Sequence, residues 1–191
     1  DAVTQKARKG ELLPVYLLGG DERLLITRCA DAVRLAAVGG GARGLAEDLY
    51  DAKQSSAAAI LTACRTLPMM SRRRLVTVRG CEDMRKADQE ALLPYLEKPE
   101  PTTVLLLVGP GFDQRVKLAL AAKERGWFFL AKAPSEGDLV PWIEREARAA
   151  GVALEAGAAE SLALAVGADL SLLADGLERL SLYAGGAPVT A

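Results

Sequence analysis

Short apolar runs alternate with segments of helical periodicity through the first two-thirds of the chain. Residues 15–18 read as a buried strand, and 21–38 as a helix with Leu24, Leu25, Ala32, Leu35 and Ala36 on one side. Residues 48–52 form a weak strand, followed by a helix that Ser55 or Ser56 can cap. A clear strand at 75–78 precedes a helix at 86–96, whose inward side chains are Ala87, Ala91, Leu92 and Tyr95. Val104 to Val108 is the strongest strand signal; a short helix at 116–125 and a last strand at 127–130 follow. Apolar strands separated by helices of roughly 10–15 residues predict βαβ units: an α/β fold with a parallel sheet and helices on both faces.

After Ala133 the strand signals stop. Ser135-Glu136-Gly137-Asp138 offers a helix start, and Pro141 favours Asp138 as the cap, because first-turn amides need no partner within the helix. Leu139, Trp142, Ile143, Ala147 and Ala150 share one face of that helix. Further helices are expected at 156–166 and 170–183, the latter with Leu170, Leu173, Leu177 and Leu180 at steps of three and four. The pattern predicts an α/β domain over residues 1–134 and a small three-helix domain over 135–191.

The junction between the second helix and the 75–78 strand is the most informative stretch: Leu67-Pro68-Met69-Met70-Ser71-Arg72-Arg73-Arg74. Ile60, Leu61, Cys64 and Leu67 complete a buried helical face, and Pro68 ends it. Met69 and Met70 fall beyond that face, on a turn. Adjacent methionines there either fold back into the core or offer soft apolar surface to a partner, and the pattern by itself leans towards the core. The three arginines read by default as a solvated strand start, though beside two methionines they would also make a polar rim around an apolar tip.

Composition narrows the chemistry. The 191 residues carry 24 basic and 25 acidic side chains, so any polyanion contact must come from a local patch. There is no histidine, which removes Ser-His-Asp and Cys-His catalysis and the usual zinc sites. Cys29, Cys64 and Cys81 show no paired or metal-like spacing and suit a reducing, cytoplasmic setting. Apolar runs are too short to span a bilayer, and without a basic n-region followed by an apolar stretch at the start a signal peptide is not expected.

Nucleotide motifs fail on context. Gly39 to Gly44 match G-x-G-x-x-G formally, but they follow a helix and precede a strand, the reverse of a dinucleotide site. A phosphate loop belongs after the first strand, where the chain reads Leu18-Gly19-Gly20-Asp21-Glu22-Arg23. No lysine followed by serine or threonine is there, and two carboxylates occupy the helix start, where they repel a nucleotide. Asp113, Arg115 and Lys117 follow the strongest strand, and an ordinary charged helix start explains them equally well.

Taken in order, several segments resemble the delta subunit family of the bacterial DNA polymerase III clamp loader. They are Pro14-Val15-Tyr16-Leu17-Leu18-Gly19-Gly20-Asp21-Glu22, Leu67-Pro68-Met69-Met70 with Arg73-Arg74-Leu75-Val76, and Ala91-Leu92-Leu93-Pro94-Tyr95-Leu96. Pro101-Thr102-Thr103-Val104-Leu105, Val140-Pro141-Trp142-Ile143 and Val166-Gly167-Ala168-Asp169-Leu170, leading into Leu177-Glu178-Arg179-Leu180, complete the set. No single motif is specific; the ordered set is. The resemblance implies an AAA+-like α/β domain with a small helical lid, a clamp-opening replication subunit without ATPase activity, cofactor or catalytic residue of its own. It further implies that the family's hydrophobic pair, usually Leu-Phe, falls on Met69-Met70, so that Leu67, Pro68, Met69, Met70, Arg72 and Arg73 contact the sliding clamp (beta). Other implied partners are the gamma/tau and delta prime loader subunits, joined through a collar domain expected to lie outside this chain, and, weakly, primed DNA; no membrane is involved. Two other readings compete: an active P-loop-class NTPase or related nucleotide enzyme, and a different loader subunit or DNA-binding adaptor.

Overall fold

A computed structural model describes residues 2–39, 45–69, 71–185 and 187–190. It divides into two compact units, Asp1–Ala131 and Lys132–Ala191. In the first, the strands are β1 (Val15–Gly20), β2 (Glu47–Asp51), β3 (Arg74–Arg79), β4 (Thr103–Val108) and β5 (Phe128–Ala131). They form one sheet in the order β2-β3-β4-β1-β5, with every neighbouring pair parallel. The parallel α/β architecture expected from the alternating pattern is therefore present.

Side-chain alternation along the strands sorts the core into two layers. Tyr16, Leu18, Leu75, Val104 and Leu106 face α1 (Ala2–Arg8) and α2 (Arg23–Val38). Val15, Leu17, Val76, Val78, Leu105 and Leu107 face α3 (Ala57–Arg65), α4 (Lys86–Glu97) and α5 (Lys117–Glu124). Both faces of the sheet are covered, which explains why the central strands are continuously apolar.

Three expectations shift. Helix α2 buries Ile26, Cys29, Ala32, Val33 and Ala37, while Leu35 is exposed. Its sequence is apolar on several sides, and α1, whose short amphipathic segment gave no strong periodic signal, adds Val3 and Ala7 to the layer that fixes its rotation. Helix α4 buries Asp88, Leu92, Tyr95 and Leu96, leaving Ala87 and Ala91 exposed. Leu67 does not extend the buried face of α3, because that helix ends at Arg65 and Thr66 is already extended (φ −78°, ψ 128°).

The second unit packs α6 (Glu136–Ala149), α7 (Ala158–Val166) and α8 (Leu170–Ala184) around Leu139, Trp142, Ile143, Leu170, Leu173 and Leu177. Ser135, not Asp138, is the N-terminal boundary of α6, and Pro141 sits in its second turn. The Ser135 hydroxyl bonds the Asp138 carboxylate, so both candidate caps take part in one helix start. Val189 adds an isolated parallel bridge to Leu154, a strand-like contact that the pattern did not announce.

Candidate interaction tip and closed phosphate loop

The chain between α3 and β3 leaves the sheet at the edge where its strands begin. Leu67 is 72% exposed and Met69 63% exposed. Pro68 is half-buried, Arg72 exposed and Arg73 half-buried, while Met70 lies outside the described residues. Met69 thus does not fold into the core, contrary to what the hydrophobic pattern alone favoured. Ligands of open parallel sheets bind at the other edge, where strands end. The exposed apolar side chains of Leu67 and Met69 lie at the starting edge, away from the end where such a sheet would hold a small ligand.

The base of this tip is closely tied down. The Thr66 amide and hydroxyl bond the Ala63 and Thr62 carbonyls at 3.1 and 2.8 Å. Buried Thr103 donates its hydroxyl to the Cys64 carbonyl at 2.9 Å. On the returning side the Ser71 hydroxyl donates to the Arg73 carbonyl at 2.7 Å. The Arg74 guanidinium holds Asp48 Oδ2 through Nη2 at 2.6 Å and Nε at 2.7 Å. Of the three arginines, Arg74 is thereby structural, its side chain only 12% exposed, and Arg72 and Arg73 remain to border the tip. Thr103 and Asp48 were missed as site-supporting residues; they lie on other strands, and no spacing in the sequence links them to the tip. Under it, burial pushes the Cys64 thiol up to about 12, so it stays protonated.

At the opposite edge, the turn after β1 is filled by the protein's own groups. The Gly20 amide donates to the Pro110 carbonyl at 3.0 Å, and the Asp21 and Glu22 amides donate to the Ala131 carbonyl at 3.1 and 3.3 Å. Glu22 caps α2, its carboxylate accepting from the Leu24 amide at 2.9 Å. The amides of the turn and that of Leu24, in the first turn of α2, are thereby already used, in the place where a phosphate would need donors. Gly20 makes the close approach to β5 feasible: its φ is 122°, and a Cβ there would lie 1.9 Å from the Ala131 oxygen. Among the described residues, no group of three or more His, Cys, Asp or Glu side chains could hold a metal ion. No helix there is long and apolar enough to cross a membrane.

A five-stranded parallel sheet in this order, flanked by helices on both faces and followed in the chain by a helical unit, is an AAA+-like α/β architecture. The family model described as DNA polymerase III, delta subunit, matches residues 16–132. The chain belongs to that family. It is 27% identical over 193 residues to the DNA polymerase III subunit delta of Bacillus subtilis, covering 96% of this chain and 56% of that protein. It superposes on the structure of the Bacillus subtilis DNA clamp loader delta protein with a TM-score of 0.82 and 26% identity, covering 99% of this chain and 59% of the other. A gamma subunit-related protein of DNA polymerase III from Thermotoga maritima shares the fold, with a TM-score of 0.58 at 14% identity over 94% of this chain and 58% of that one. The chain therefore spans less than two-thirds of the length of these relatives.

Proposed function

We propose that this chain is the sliding-clamp-binding part of a clamp loader delta subunit, and that it helps open the clamp ring for loading onto primed DNA. The observation that carries the reading is the exposed Leu67 and Met69 on a tip bordered by Arg72 and Arg73, in a chain of the delta family. Apolar anchors within a polar rim are the usual source of binding energy at protein interfaces, and methionine adapts well to an apolar pocket. Met70 completes the proposed anchor, with Pro68 setting the direction in which the chain leaves α3.

The role is one of interaction and not of catalysis. The amides that would cradle a phosphate already bond Pro110, Ala131 and Glu22, which supports a subunit that leaves ATP hydrolysis to its partners. In the assembled loader those partners are the gamma/tau and delta prime subunits, held through the collar portion of the longer relatives, at work in the cytoplasm. Residues 1–134 are assigned to clamp contact and 135–191 to the lid. Primed DNA is a weak partner, given a formal net charge of −1. The test is co-elution of the chain with the sliding clamp of the same organism in size-exclusion chromatography. A stable complex is expected; separate elution at micromolar concentrations of both proteins contradicts the proposal.

A further inference from the structure

We infer that Thr103 and Asp48 are positioning residues for the tip, holding its two flanks, at Cys64–Thr66 and at Arg74, so that Leu67 and Met69 are presented in a docking-ready geometry. The inference rests on the clamp-binding reading above.

The argument begins with a missing donor. The carbonyls of the last helical turn need partners, and in a continuing helix the Cys64 carbonyl would accept from the amide of residue 68. Residue 68 is proline and has no N–H. Thr103, at the start of β4 and fully buried, supplies the donor instead, through its hydroxyl at 2.9 Å. The Thr62 and Ala63 carbonyls of the same turn are taken by the side chain and amide of Thr66. Helix α3 therefore ends in a turn with three successive carbonyls satisfied, and the direction in which the chain departs towards Leu67 is set.

The return is fixed as firmly. Arg74, the first residue of β3, bonds the Thr102 carbonyl through its amide at 2.8 Å and Asp48 on β2 through its guanidinium. Thr102 and Thr103 are adjacent, so one end of β4 anchors both sides of the tip. A loop held at both ends loses little freedom when it docks, and that saving appears as affinity.

The variant Thr103→Val keeps the shape and removes the donor; Thr103→Ser keeps the donor. Clamp affinity is measured well below the melting temperature for both, for Met69→Ala, and for Thr103→Val combined with Met69→Ala. Thr103→Val is expected to weaken binding about five-fold, the size of one net hydrogen bond, with Thr103→Ser close to the parent. The loss should largely vanish in the Met69→Ala background, because Thr103 acts through the tip. Asp48→Ala, at the other strut, carries the same expectations if Thr103→Val folds poorly. An unchanged affinity with a lowered melting temperature would show that the struts are structural only, and a loss of equal size in the Met69→Ala background would place their action elsewhere; either overturns the inference. Parent-like binding by Met69→Ala would instead contradict the docking reading itself, and the inference with it.

Discussion

The Ala57 amide donates to Asp88 Oδ1 at 2.8 Å, joining the first residue of α3 to the first turn of α4. Ser56 caps α3 from its own N-terminal boundary, accepting from the Ala59 amide, and Asp88 takes a second orphan amide from the neighbouring helix α4. Arg85 Nε closes the arrangement on Asp88 Oδ2 at 2.7 Å. A buried carboxylate between two donors explains why position 88, polar in the sequence, faces inward.

Removing that carboxylate should be felt throughout the α3–α4 layer. Asp88→Ala is expected to destabilise the protein by about 1–3 kcal/mol, since it leaves a buried amide without a partner. The Ala57 amide, and after it Arg85, hold the Asp88 carboxyl below the usual carboxylate range. A group lowered in the folded state stabilises fully above its unfolded value, near pH 4, and loses that contribution as pH falls through the folded value. Denaturation midpoints measured from pH 7 downwards should therefore fall more steeply for the parent than for Asp88→Ala. Parallel curves would show that the ionised carboxylate contributes nothing.

The two neighbouring glycines that end β1 should respond very differently to a methyl group. Gly20→Ala places a Cβ against the Ala131 carbonyl at a φ of 122°, and is expected to cost at least about 2 kcal/mol. At Gly19 the nearest atom to an added Cβ is Phe128 Cζ at 3.4 Å, so Gly19→Ala should stay within about 1 kcal/mol. Equal melting temperatures for the two variants would contradict the close β1–β5 approach.

Titration calorimetry with Mg-ATP should give no saturable heat at micromolar concentrations, because the amides of Gly20, Asp21, Glu22 and Leu24 already have acceptors within the protein. Saturable binding would mean that the turn opens readily and that the nucleotide-enzyme reading must return.

All three thiols are buried, and burial pushes Cys64 and Cys81 up to about 12. Thiolates are the reactive species, so a disulfide reagent at pH 8 should modify these two only as fast as the protein opens. Their rates should rise with denaturant along the unfolding curve; prompt reaction in the native state would contradict the packing under the tip for Cys64, and that beyond the end of β3 for Cys81.

The strands and most helices were legible because their apolar runs are short, strong and separated by clear breaks. Rotation was harder to read: α2 is apolar on several sides, and α1, with few apolar side chains, gives no cue that it covers one of them. The tip illustrates the same limit. Pro68 showed where α3 must stop, but whether Met69 turns inward depends on Thr66, which leaves the helix early and carries Leu67 and Met69 into solvent. The supports at Thr103 and Asp48 come from distant strands and follow only from the strand order. The missing phosphate loop could be read directly, since a lysine and hydroxyl are either present after β1 or not.

The most direct measurement of the central claim is the affinity for the sliding clamp of the same organism, with and without Met69→Ala and Met70→Ala together, beside the melting temperature of each protein. Truncating the pair removes at least one anchor of roughly 2 kcal/mol or more and should weaken binding by at least about 30-fold. The melting temperature should change little, because Met69 is mostly exposed. An unchanged affinity with a lowered melting temperature would contradict the account and return the two methionines to a role in packing.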